Sequence, residues 1–190
     1  MTLILASASP RRRELLEQIG VPFEVVVRPI DETPCDDEQA TTYVARMAKE
    51  KALAVAKEYP QRSILASDTC ISFNDTILTK PVDAADAKTM LAMLSGQKHQ
   101  VLTSVAIVCA QKLQVKTVAT DVWFKHLTDK QIANYVATQE PLDKAGSYAI
   151  QGFGAILVER ISGSYSNVVG LPLTETAEML EQFNVPIWQK

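Results

Sequence analysis

The residues best suited to chemistry begin close to the amino terminus, where small side chains are followed by arginines. Ser7 and Ser9 follow an apolar stretch, and Pro10, Arg11 and Arg12 come next. Ser before Pro is typical of a helix start, whose free N–H groups bind anions. Because basic residues in a first helical turn oppose the helix dipole, stability alone does not explain them. Arginine forks match phosphate oxygens, so this segment is a candidate phosphate site.

Two acidic positions could hold a metal ion or activate water. Asp68 follows the apolar segment 64–66, and a carboxylate at the end of a buried strand lies where α/β folds bind ligands. Such a group can bind Mg²⁺ or act as a general base, although an ordinary turn Asp is the alternative. Glu32 lies beside Asp31 in a polar loop, and hydration alone would also account for that loop.

Three further side chains give a weaker local signal. Lys51 lies on a helical segment, where lysine is usually solvated, whereas Lys80 precedes a proline in a tight loop. Gln151 is an amide among small residues and could hydrogen-bond to the edge of a nucleobase. Each could also be an ordinary surface or loop residue.

Alternating strand-like and helix-like segments must position these residues, and the alternation indicates an α/β fold. Strands are predicted at 2–6, 23–27, 63–66, 70–73, 76–78, 99–109, 113–124 and 155–161. Helices are predicted at 9–20, 39–59, 83–94, 128–138 and from about 172. The mixture of crossovers and hairpins predicts a twisted mixed sheet with flanking helices, in two lobes around a central cleft, with residues 1–190 as one domain.

The composition argues against several other classes of protein. Of 190 residues, 47% are hydrophobic and 22% charged, and the net charge is −3, whereas a general nucleic-acid binder usually has a basic excess. The three separated cysteines and two histidines lack metal-ligand spacing, and no P-loop occurs. No run approaches the roughly 20 apolar residues of a membrane span, and no signal peptide is recognised. We therefore expect a cytoplasmic protein without nucleic-acid or membrane partners.

Several motifs, in order and spacing, resemble those of the Maf family. They are Leu5-Ala6-Ser7, Ser9-Pro10-Arg11-Arg12, Glu50-Lys51-Ala52, Ser67-Asp68-Thr69, Lys80-Pro81, Leu94-Ser95-Gly96 and the stretch 144–152. The resemblance covers nearly the whole chain and implies an elongated α/β fold similar to that of the inosine triphosphate pyrophosphatases. It also implies cleavage of a nucleoside triphosphate to the monophosphate and pyrophosphate, with a divalent cation such as Mg²⁺ or Mn²⁺.

The resemblance further implies a role for each matching residue. Asp68 resembles the family's catalytic base, and Glu32 with Asp68 the metal-binding acids, although Asp31 is adjacent to Glu32. The residues that resemble the phosphate-binding set are Ser7, Arg11, Arg12, Lys51 and Lys80. Thr79 departs from the pattern, since Gly is common there.

Three positions separate the subfamilies, and here they are occupied by Arg11, Thr69 and Gln151. This combination resembles the dTTP/UTP pyrophosphatases, whereas the 7-methyl-GTP subfamily tends to have Trp, Gln and Glu. Two alternatives stay open. One is a pyrophosphatase for 7-methyl-GTP or another modified nucleotide, and the other is a nucleotide-binding cell-division regulator without turnover. A homodimer is implied by the resemblance alone.

Overall fold

A computed structural model describes residues 2–189, which are built around a mixed sheet of seven strands. The strands are β1 (Leu3–Leu5), β2 (Phe23–Val25), β3 (Ile64–Phe73), β4 (Thr76–Leu78), β5 (Lys98–Cys109), β6 (Lys112–Phe124) and β7 (Val158–Ser162). The α-helices are α1 (Pro10–Gln18), α2 (Ala40–Ala56), α3 (Ala84–Leu94), α4 (Asp129–Ala137), α5 (Tyr165–Val169) and α6 (Leu173–Gln182). Short 3-10 segments cover Glu140–Asp143, Ala145–Ser147 and Gly152–Leu157.

The strand order is β2-β1-β3-β5-β6-β7, with β4 also paired to β3. The β1 strand is parallel to both β2 and β3, whereas β3, β5, β6 and β7 pair antiparallel in succession. Crossovers and hairpins therefore both occur, and the predicted mixed sheet is confirmed.

Successive side chains of a strand point to opposite faces of the sheet, and the central strands have apolar side chains on both faces. Helices therefore cover both faces of the sheet. The α2 helix packs against one face of the sheet along most of the length of the helix. On the other face, two clusters lie toward opposite ends of β3 and β5. Leu65 and Val105 belong to the cluster with α1 and α6, whereas Ile71 and Val101 belong to the cluster with α3 and α4. This separation produces the two predicted lobes.

The β3 strand has a gap along one edge, and this gap shapes the cleft between the lobes. On that edge, β1 pairs with Ile64 and Leu65, and β4 pairs with Ile71 to Phe73. Within residues 2–189, no strand pairs with the intervening residues 66–70 on this edge. The opposite edge of β3 is paired with β5 throughout, from Ile64 to Ser72.

Two of the differences between the predicted and the observed strands bear on the cleft. The predicted break at 67–69 is absent, because β5 pairs with these residues and their polar side chains find partners on both faces. The predicted strand at 155–161 begins only at Val158, because the preceding backbone forms a 3-10 segment whose first N–H groups bond to Glu140. The α5 helix was not predicted, because five residues are too few to show a helical period.

Candidate active site

One cleft of about 740 Å³ lies at the gap in the sheet, and it is lined by every candidate residue identified from the sequence. These residues are Ser7, Arg11, Arg12, Glu32, Lys51, Asp68, Thr69, Lys80 and Gln151. The volume lies within the range of roughly 300–1,000 Å³ that is usual for small-molecule sites. The residues come from the β1–α1 loop, α1, α2, β3 and three other loops, so the cleft forms only when these elements are assembled around the sheet.

Arg12 ties three parts of the cleft together. Its Nη1 donates to Ser7 Oγ at 3.1 Å, its Nη2 to Thr69 Oγ1 at 3.2 Å, and its Nε to the Gly170 carbonyl at 2.9 Å. Burial lowers the pKa of Arg12, while the charge of Asp68 opposes this shift. Since guanidinium has five N–H groups, two are not used in these contacts and could meet a ligand.

Lys51 joins the two candidate metal-binding acids. Its Nζ lies 2.6 Å from Asp68 Oδ1 and 3.0 Å from Glu32 Oε1. Asp68 is buried, whereas Glu32 is on an exposed loop that is held by the Tyr43 hydroxyl, which donates to the Glu32 carbonyl at 3.0 Å. Burial raises the pKa of that tyrosine above its ordinary value, which is itself well above neutral pH. The two carboxylates thus converge on one positive charge.

Asp68 and Thr69 face opposite sides of the sheet, as neighbours on a strand must. Asp68 meets Lys51 on the α2 side. Thr69 meets Arg12 and Thr103 on the other side, the latter at 3.0 Å between the two Oγ1 atoms. Both side chains reach the cleft because the gap leaves this edge of β3 open.

Glu140 was not identified from the sequence, yet it holds the loop that carries Gln151. Its Oε1 accepts from the Gly154 N–H and from the Tyr135 hydroxyl, both at 2.9 Å, and its Oε2 accepts from the Phe153 N–H at 3.0 Å. Burial alone would raise the pKa of Glu140, but these bonds outweigh it and leave the pKa below its usual range. No local signal marks an acid that follows a helix and precedes a proline as a loop anchor.

The cleft also concentrates positive charge in a chain whose net charge is negative. Lys144 begins the stretch 144–152 but was given no role of its own from the sequence. It lines the cleft with its side chain largely buried, and it contacts Asp143 and the Glu140 carbonyl. Lys80 is exposed. The basic residues lining the cleft are Arg11, Arg12, Arg28, Lys51, Lys80 and Lys144. Such a set attracts a polyanion.

The two carboxylates of the cleft fit a divalent cation whose other ligands come from a bound phosphate group and water. Residues 2–189 contain no group of three or more His, Cys, Asp or Glu side chains arranged to hold a metal by themselves. Mg²⁺ commonly uses one or two protein carboxylates, with substrate phosphates and waters as its other ligands. Asp68 and Glu32 form such a pair, since both already meet one cation, the Lys51 ammonium.

In the described part of the chain, every helix is too short or too polar to cross a lipid bilayer.

Comparison with known proteins places the chain in a family. The Maf-like protein family matches residues 2–183. The chain is 52% identical over 184 residues to the dTTP/UTP pyrophosphatase of Escherichia coli K12, covering 96% of this chain and 93% of that protein. It is 49% identical over 186 residues to the dTTP/UTP pyrophosphatase of Vibrio parahaemolyticus, covering 96% and 97%. A solved nucleoside-triphosphatase (dITP/XTP pyrophosphatase) from Mycobacterium abscessus covers 96% of this chain and 95% of its own, at 16% identity and a TM-score of 0.49. The match to the family and the relatives of about half-identical sequence show that the chain belongs to the Maf family.

Proposed function

We propose that the protein is a nucleoside triphosphate pyrophosphatase that hydrolyses dTTP and UTP to the monophosphate and pyrophosphate. The observation that carries the proposal is the convergence, in one cleft, of a carboxylate pair and a cationic set with Arg11, Thr69 and Gln151. Relatives about half identical to this chain bear the name dTTP/UTP pyrophosphatase, which supports the same substrates here.

Charge and position account for the proposed reaction. The arginines and lysines of the cleft bind the triphosphate and stabilise the negative charge on the departing pyrophosphate. Asp68 uses Oδ1 to contact Lys51, and its other oxygen takes a proton from the water that attacks the α-phosphorus. The new bond joins this water oxygen to the α-phosphorus, and the bond to the bridging oxygen of the β-phosphate breaks. A divalent cation held by Asp68 and Glu32 would add charge neutralisation on the phosphate oxygens.

Arg11, Thr69 and Gln151 are the residues that we propose select the base. A pyrimidine with a 4-oxo group pairs with amide and hydroxyl groups, whereas a wrong exocyclic group leaves buried polar atoms without partners. A site built in this way can reject an analogue by a large factor, because an unpaired buried polar atom is costly.

The test is a panel of dTTP, UTP, CTP, GTP, ATP and 7-methyl-GTP, with Mg²⁺, with Mn²⁺ and without metal, in which both products are identified. We expect metal-dependent release of pyrophosphate and monophosphate, fastest from dTTP and UTP. A preference for 7-methyl-GTP or another nucleotide would support the proposed reaction but refute dTTP and UTP as the substrates. Release of single phosphates would refute attack on the α-phosphorus, and binding without turnover would favour a regulator of cell division.

Three wider features belong to the same proposal: one Maf-like domain over residues 1–190, Mg²⁺ or Mn²⁺ as the cation, and a homodimer in the cytoplasm. The metal series in the panel tests the cation. Light scattering after gel filtration tests the dimer, and fractionation of cells tests the location.

A further inference from the structure

The direction of one hydroxyl group is fixed in the cleft, and it determines what Thr69 can recognise. We infer that Thr69 offers the substrate a hydrogen-bond acceptor and no donor, because Thr103 and the Asn167 carbonyl orient its proton away from the cleft. On this basis Thr69 reads the N3–H of uracil or thymine. The inference rests on the proposed function and adds two positioning residues, Thr103 and Asn167, to the substrate site.

The chain of bonds begins at the Asn167 carbonyl. Thr103 Oγ1 lies 2.8 Å from the backbone carbonyl oxygen of Asn167, and both residues are fully buried. A carbonyl oxygen can only accept, and a hydroxyl has only one proton. The Thr103 proton is therefore committed to Asn167.

The same reasoning fixes the proton of Thr69. Thr69 Oγ1 and Thr103 Oγ1 are 3.0 Å apart. Since Thr103 has already used its proton, Thr69 must donate and Thr103 must accept. Arg12 Nη2 donates to Thr69 Oγ1 at 3.2 Å and occupies one of its two lone pairs. Thr69 Oγ1 is therefore left with one unused lone pair, and Thr69 lines the cleft.

The surrounding contacts keep this arrangement in place. Asn167 Nδ2 donates to the Val101 carbonyl and to Thr120 Oγ1, both at 3.0 Å, so α5 is fixed against β5 and β6. Gly170 lies beside Thr69, since a Cβ added there would stand 3.4 Å from Thr69 Oγ1, in ordinary van der Waals contact. Turning the Thr69 hydroxyl toward the cleft would break its bond to Thr103 inside a buried network, and nothing in the network replaces that bond.

An acceptor at this position discriminates between pyrimidines. The pairing edge of uracil or thymine has one donor, N3–H, between two carbonyl oxygens. The N3 of cytosine carries a lone pair instead, so it would face the lone pair of Thr69 and leave both acceptors unpaired. The fixed hydroxyl therefore favours UTP and dTTP over CTP without any movement of the protein.

The test compares Thr103→Val with Thr103→Ser, because valine keeps the shape but removes the acceptor, whereas serine keeps the hydroxyl. The readouts are kcat/KM for UTP and CTP, together with the dissociation constants of UMP and CMP by calorimetry. We expect Thr103→Val to free the Thr69 proton and lower the preference for uridine over cytidine by about tenfold, the value of one hydrogen bond. Thr103→Ser should keep the preference of the wild type.

A purely structural role for Thr103 would lower kcat/KM for both nucleotides together and leave their ratio unchanged, which would overturn the inference. A second experiment uses the wild-type protein with the triphosphate of 3-methyluridine, which lacks N3–H. We expect the wild type to hydrolyse it much more slowly than UTP, and equal rates would refute the inference. If the wild type hydrolyses neither UTP nor dTTP, the proposed function fails. The hydroxyl assignment is then judged by the binding of UMP, CMP and 3-methyl-UMP.

Discussion

Lys51 holds both carboxylates of the cleft on one ammonium group, with Asp68 at 2.6 Å and Glu32 at 3.0 Å. The contact with Asp68 is largely shielded from water, whereas more than half of the Glu32 side chain is exposed, at 53%. A surface ion pair of the second kind contributes little to stability, so we infer that its value lies in gathering the acids where a phosphate-bound cation can meet them.

At this scale the sharpest prediction concerns Asp68. The Asp68→Asn variant keeps the size of the side chain but removes the base, so kcat for UTP should fall by about 10²- to 10⁴-fold. Binding of UTP, measured without a divalent cation, should stay close to that of the wild type, because the cationic residues are unchanged. Steady-state kinetics and calorimetry measure the two effects.

Asp75→Asn is the matched control, since Asp75 lies in the exposed turn between β3 and β4, where asparagine tolerates the same backbone conformation. It should leave kcat unchanged. A rate near that of the wild type in Asp68→Asn would remove Asp68 from the role of base.

Among the elements, the segment from Glu140 to Gly154 connects α4 with the side of the cleft that carries Gln151. Glu140 bonds to two successive N–H groups just after Gln151 and Gly152. Gly152 allows the close approach, because its φ is +67° and a Cβ there would lie 2.3 Å from Glu140 Oε2. The position of Gln151 therefore depends on a side chain that is 11 residues earlier in the sequence.

We expect Glu140→Gln to loosen this segment, because its amide N–H₂ would face backbone donors. KM for UTP should rise and the preference for UTP over other nucleotides should fall by about tenfold, while kcat changes less, since Asp68 and Lys51 are untouched. Kinetics on two or more nucleotides separate these effects. Glu159→Gln, at an exposed position on β7, is the control, and an equal effect in both variants would refute the role of Glu140.

The elements also show what the sequence could and could not predict. The α4 helix was predicted from Thr128 and Gln131, whose side chains form the expected capping box, because that signal is local. In contrast, the contact between Thr69 and Thr103 joins residues 34 apart and follows from the register of β3 on β5. Strand register is set by tertiary packing, so no local pattern could reveal the Thr103 contact or the continuity of β3. Arg11, Arg12 and Asp68 gave a local signal of their own. The roles of Glu32, Lys51, Lys80 and Gln151 came from the resemblance of their motifs to the Maf family.

At the scale of the whole molecule, the core beside α3 and α4 contains a buried histidine, His99, which packs against Phe124 and Tyr148. Its Nε2 lies 2.8 Å from the Tyr148 hydroxyl, and the residue is 2% exposed. Burial lowers the pKa of His99 to about 4, below its ordinary 6.5. The folded protein therefore keeps this ring neutral under conditions in which the unfolded chain binds a proton.

We expect this histidine to make the fold sensitive to acid. Its contribution to stability is fully present above pH 6.5 and is lost as the pH falls from 6.5 to about 4. The loss is about 1.4 kcal/mol per pH unit, or roughly 3 kcal/mol in all. Urea unfolding between pH 7 and pH 4 measures it, with His99→Gln as the variant that cannot titrate. If the two proteins lose stability in parallel, His99 is not the cause.

Because side chains alternate along β3, the groups proposed for hydrolysis and the groups proposed for nucleotide selection lie on different faces of the sheet. Asp68 and the groups around it lie on one face of the sheet, and Thr69, Thr103 and Asn167 lie on the other. On the proposed assignment, substitutions of Thr69 or Thr103 would change which nucleotide is accepted while Asp68 and Lys51 stay in place, so new specificities can evolve without rebuilding the groups that activate water. An insertion of one residue in β3 before Asp68 would have the opposite effect, because it would exchange the two faces and remove both properties in a single event.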